Sequence, residues 1–121
     1  MSKARTVIGI VGGALLVLSS GAHTFLGWKA MSEQLASTNA PADLVHGLMV
    51  GWEYGGVAML VLGLIALSIF RKRLHGETVS TFPIVVIGVA YLAFAVWAAF
   101  TMRDPGYLVF GVTGVLLLIG A

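Results

Sequence analysis

Residues 44–70 read LVHGLMVGWEYGGVAMLVLGLIALSIF, and Arg71-Lys72-Arg73 follow at once. A helix needs about 20 apolar residues to cross a bilayer, so this stretch is long enough on its own. Its one charged residue is Glu53. The basic triplet marks where the apolar run stops.

The rest of the chain repeats the pattern. No charge falls between Arg5 and Lys29 or between Glu77 and Arg103, and none follows Asp104. The 121 residues are 59% hydrophobic and only 10% charged. A soluble domain carries about a quarter charged residues to coat its surface. Disorder is excluded by the apolar content. A disulfide scaffold and cysteine-ligated metals are excluded by a Cys count of 0. The fold class is therefore all-α: an integral membrane four-helix bundle in one domain over 1–121. The helices are expected at about 6–30, 42–70, 80–102 and 105–120, running up-down-up-down. The fourth is short, near 24 Å by helical rise. Asp104-Pro105 supplies an N-cap and a proline at the first helical position. Ser80 or Thr81 caps the third helix ahead of Pro83, and Pro41 with Asp43 opens the second.

A polar loop, 31–41, lies outside, and a basic loop, 71–77, inside. Lys3, Arg5 and Arg71-Lys72-Arg73 outnumber Lys29 and Arg103, so the positive-inside rule puts both termini in the cytoplasm of a bacterial inner (plasma) membrane protein. The net charge of +2 is then a topology signal, and contact with lipid headgroups accounts for it. No nucleic-acid partner is implied. An alternative reading makes the N-terminus a cleaved leader ending at Ser20-Gly21-Ala22, with His23 as the new terminus. Against it, the apolar run continues through Phe25, Leu26 and Trp28.

Helices in lipid associate through small residues. Gly9 and Gly13 on the first helix, and Gly47, Gly51 and Gly55 on the second, are the expected packing positions. The second helix thus shows a glycine groove and, roughly opposite, a face with His46, Val50, Glu53 and Val57. Two faces seeking protein imply a homo-oligomer or a membrane-protein partner beyond the bilayer itself. His23, Tyr91 and Tyr107 each share a face with small residues, so they are expected to face protein.

An acid within a membrane segment is costly and usually functional or paired. Antiparallel first and second helices bring His23 and Glu53 to similar depth near the outer surface. The polar site is therefore expected to comprise Glu53, His23, Tyr91 and Tyr107. The leading reading is a small interaction or accessory membrane protein with a buried Glu53–His23 pair as a polar lock. The alternative is a proton- or cation-linked transporter using Glu53. A third is a metal site of His23, His46 and Glu53, two His and a carboxylate suiting zinc, copper or iron. No cofactor is otherwise implied. No nucleophile–base arrangement, phosphate loop or carboxylate pair supports an enzyme. His75 reads as a solvated interfacial residue, and Trp28, Trp52, Trp97 and Tyr107 as aromatic belts.

The size and four-helix plan resemble the small multidrug-resistance transporters. That family's essential Glu lies in its first helix, whereas Glu53 lies in the second here. Neither Gly21-Ala22-His23-Thr24-Phe25-Leu26-Gly27-Trp28 nor residues 47–56 align with its motifs, so no residue role carries over.

Overall fold

The computed structural model describes residues 2–121 and contains four helices and no strand among them. Helix α1 spans Lys3–Ala36, α2 Ala42–Leu74, α3 Phe82–Met102 and α4 Pro105–Gly120. The first three are long and apolar enough to cross a membrane, the make-up of a membrane protein. Helix α1 outruns its apolar segment because Lys29–Ala36 is rich in good helix formers. Asp104 starts α4 by accepting the Gly106 N–H at 2.8 Å, and Pro105 follows. The first turns of α4, Pro105–Val109, wind as a 3-10 helix.

Helix α1 organises the molecule. It packs against α2 on one side and α4 on another; α3 lies beyond α4, and α2 and α3 touch little. The helices thus form a row in the order α2, α1, α4, α3, more open than the expected bundle. The cause is visible in sequence at Gly12-Gly13. A Cβ on Gly13 would lie 3.1 Å from the Leu67 side chain of α2, and one on Gly12 3.1 Å from the Leu116 Cβ of α4. Adjacent glycines point about 100° apart on a helix, so the pair opens α1 to close approach from two directions.

The α1–α2 seam follows an alternating three-and-four spacing. On α1 it comprises Gly9, Gly13, Leu16, Ser20, His23 and Gly27. Trp52, Gly56, Gly63, Ala66 and Phe70 fall on the same repeat in α2. This 3.5-residue period keeps two helices in contact along their length. Gly9 lies against the Phe70 ring, a Cβ on Gly63 would sit 3.0 Å from the Leu16 Cβ, and Gly27 faces the Trp52 indole. The partners descend on one helix as they rise on the other, so the pair is antiparallel in one continuous register. Helix α2 therefore meets α1 through Gly55, Gly56 and Gly63, while among the described residues no atom of another element lies within 4 Å of a Cβ built on Gly47 or Gly51. The α3–α4 pair is equally close: a Cβ on Gly114 would sit 2.6 Å from the Gly88 carbonyl oxygen.

The core lies toward one end, where Leu16, Ala66, Phe70, Ile84, Ile87 and Leu117 are buried together. Two arginines close that end. Arg5 Nε donates to the Ile119 carbonyl at 2.8 Å, and Arg73 Nη1 donates to the Gly120 and Ala121 oxygens at 3.1 Å each. The last carbonyls of a helix lack intrahelical donors and carry partial negative charge, so cations settle there. Helices α1 and α2 are thereby tied to α4.

At the opposite end the helices differ in reach. Helix α1 has 34 residues, α2 33 and α3 21. At 1.5 Å per residue the α1–α2 hairpin extends roughly 15–20 Å past the α3–α4 turn. Within residues 42–51 of α2, all but Val45 are exposed.

This packing separates two glycines of one helix. Gly63→Val drives a side chain into Leu16 and Val17 and is expected to cost about 1–3 kcal/mol. Gly51→Val meets open space and is expected to change stability by less than about 0.5 kcal/mol. Thermal melting of the detergent-solubilised monomer checks both.

Candidate functional site

Helix α1 widens into a π turn over Ala22–Gly27. Such turns are rare and frequently occur at functional sites. This one carries His23 and Thr24, and its small residues let α2 come close. Gly55 admits the imidazole, a Cβ there lying 3.0 Å from His23 Nε2. Gly56 receives Thr24, and Gly27 leaves room for Trp52, whose ring would be 3.0 Å from an added Cβ.

The result is a reciprocal clasp between His23 and Trp52. Trp52 Nε1–H donates to the His23 carbonyl oxygen at 2.6 Å. His23 Nε2 lies 3.1 Å from the Trp52 carbonyl oxygen. A carbonyl only accepts, so Nε2 carries the proton and Nδ1 keeps its lone pair when the ring is neutral. The two rings stack with centroids 4.6 Å apart and planes within 1°. Trp28 leans on the other ring of this group, 6.3 Å from Trp52 and tilted by 54°. Each bond satisfies a polar group that lipid could not, which is why both side chains can sit inside an apolar wall.

Glu53 does not join the clasp. His23 spends its Nε2 on the Trp52 backbone, and Glu53 makes no hydrogen bond or ion pair among the described residues. The physical reason is helical rotation: Trp52 faces α1, and its neighbour Glu53 is turned about 100° away onto an exposed side. The expected Glu53–His23 pair is thus replaced by a Trp52–His23 pair. In the α1–α2 register Glu53 stands opposite Leu26. The α1–α4 pairs Gly9–Gly120 and Gly12–Leu117 place the Arg103–Pro105 turn within about one turn of that level.

The other sequence candidates are dispersed. His46 is exposed on the projecting part of α2. Tyr91 is half-buried and packs against the core of Leu16 and Leu117, toward the arginine-closed end. Tyr107 is half-buried on α4, its ring 6.0 Å from that of Phe110. His23, His46 and Glu53 do not gather as a metal site: among the described residues no three His, Cys, Asp or Glu form a group that could hold an ion. Trp52 was the functional residue least visible in sequence, where its place near an interface suggested only a belt. The available signal was its position on the same heptad repeat as Gly56 and Gly63, opposite Gly27.

Helices, register and clasp define a small all-helical membrane protein with a polar lock between its two longest helices. Comparison with protein families, curated proteins and solved structures gives no match. Its class thus rests on the chain's own residues.

Trp52→Phe keeps a stacking ring but strips the N–H from the His23 carbonyl. It is expected to destabilise the fold by about 0.5–1.5 kcal/mol, the net worth of one half-buried hydrogen bond. Melting of the variant checks this, and ¹⁵N NMR of neutral His23 is expected to show protonated Nε2 and bare Nδ1.

Proposed function

We propose that the protein is a membrane assembly or accessory protein that associates sideways through the projecting part of α2, with a second copy of the chain as its partner. The observation carrying this reading is the exposure of the helix around Glu53. A Cβ on Gly47 or Gly51 would meet nothing within 4 Å among the described residues, and Leu48, Met49, Val50 and Tyr54 are exposed beside them. Glu53 is exposed with no polar partner among the described residues. Open glycines four residues apart allow the backbone of another helix to approach closely. An unpaired carboxylate near a membrane is stabilised when protein covers it and supplies a donor. Both features belong to one segment that the chain's own helices leave uncovered. The His23–Trp52 clasp then has a structural role: it fixes the rotation of α2 and so decides which residues face outward.

Transport through Glu53 is the competing reading, and one substitution separates them. Crosslinking in native membranes is expected to trap a dimer. Gly47→Leu and Gly51→Leu are expected to lower its yield at least tenfold, about 1.4 kcal/mol, while leaving monomer melting unchanged. Glu53→Gln keeps hydrogen bonding and shape and is expected to retain the dimer. A monomer at native density contradicts the proposal. A pH-driven flux into liposomes that Glu53→Gln abolishes favours transport.

A further inference from the structure

The arginine-closed end holds a second feature, independent of the α2 dimer. A groove of about 440 Å³ is lined by Leu64, Leu67, Ser68, Arg71, Lys72, His75 and Glu77. Its residues divide by depth. Leu64 and Leu67 lie within the apolar run of α2, while Arg71, Lys72 and His75 crown it at the point where the run ends. The basic triplet is split by helical rotation. Arg73 turns inward and holds the end of α4. Arg71 and Lys72 are exposed, and their side chains have no hydrogen-bond or ion-pair partner among the described residues.

The backbone here is fixed. Gly76 takes φ +85° and closes α2: its N–H bonds the Arg73 carbonyl at 3.0 Å, and the Glu77 N–H bonds the Lys72 carbonyl at 3.0 Å. The His75 N–H bonds the Arg71 and Lys72 carbonyls at 3.2 and 3.1 Å. This pattern ends helices with a left-handed glycine. Here it has a second consequence. The C-terminal carbonyls of a helix repel anions, but these three already accept hydrogen bonds. The positive side chains therefore dominate the groove's mouth.

We propose that this groove binds an anionic phospholipid, with its phosphate between Arg71 and Lys72 and an acyl chain along Leu64 and Leu67. A guanidinium forks onto phosphate oxygens and an ammonium adds a mobile point charge. The Ser68 hydroxyl and the His75 ring offer further donors. Glu77 opposes them, which limits the groove to about one net positive charge and suits a singly charged phosphodiester. An apolar wall directly beneath a cationic rim fits an amphiphile and is wasted on a free ion. The lining is one stripe of α2 and the turn that ends it, and Lys and Arg at such a helix end attract the headgroups of an anionic leaflet.

The test titrates the purified full-length protein, in neutral detergent, with phosphatidylglycerol, phosphatidylcholine and inorganic phosphate separately, and reads bound lipid by native mass spectrometry. Phosphatidylglycerol is expected to bind at least tenfold more tightly than phosphatidylcholine. Arg71→Gln and Lys72→Gln are each expected to weaken it about fivefold. Glu77→Gln is expected to strengthen it, and Arg71→Lys to retain most of it. The gain on Glu77→Gln keeps the test decisive if a basic-site variant folds poorly, because an unfolded protein cannot bind more. Equal affinity for the two lipids overturns the proposal. So do unchanged binding in the three Gln variants and inorganic phosphate binding as tightly as the lipid.

Discussion

Everything in this fold depends on how closely α1 can be approached. It lies between α2 and α4, and the adjacent Gly12 and Gly13 give each neighbour its own point of backbone contact. In lipid there is little hydrophobic gain from bringing two apolar helices together. Association rests on van der Waals contact and polar satisfaction. Glycines along a 3.5-residue repeat supply the first. The His23–Trp52 clasp supplies the second, at a turn where the helix widens. Arg5 and Arg73 do similar work at the other end by satisfying the last carbonyls of α4. The clasp thus joins α1 to α2 directly, while the arginines tie both helices to α4 at the closed end.

Class and helix count were legible from charge spacing, because twelve charged residues in a chain this long cannot coat a soluble surface. Caps such as Asp104-Pro105 were legible because their chemistry is local. The orientation of α2 was not. Gly47, Gly51 and Gly55 stood out as a glycine series, yet of these three Gly55 alone meets α1, beside Gly56 and Gly63, and Gly47 and Gly51 stay open. Counting glycines cannot rank competing faces when a helix is rich in them. The heptad repeat ranks them, and only once α1 is read alongside α2. The partner of His23 was hidden for a related reason. A carboxylate is the intuitive mate for an imidazole, but one residue of rotation exchanges Glu53 for Trp52. The π turn has no sequence signature beyond small residues around His23.

Rotation of α2 links structure to function. Turning Trp52 inward sends Glu53 outward and leaves Gly47 and Gly51 uncovered. The same helix, about three turns past Gly63, turns Arg73 toward α4 and leaves Arg71 and Lys72 on the groove. One seam thus sets two outward surfaces: an apolar and acidic edge at the projecting end, and a basic rim at the closed end. The unequal helix lengths matter equally, since a hairpin that overreaches its neighbours cannot be covered by them.

The register of α1 on α2 is therefore the claim to test most directly, and a chain with a Cys count of 0 allows it cleanly. A Cβ on Gly56 would lie 3.3 Å from the Thr24 Cβ, close to the separation that a disulfide spans. The measurement is oxidative crosslinking of Thr24→Cys with Gly56→Cys in membranes, beside Thr24→Cys with Leu60→Cys one turn away. The account predicts rapid, near-complete crosslinking within the monomer for the first pair and little for the second. Efficient crosslinking at Leu60 with none at Gly56 would contradict it, because α2 would then sit one turn out of register and the His23–Trp52 clasp could not form.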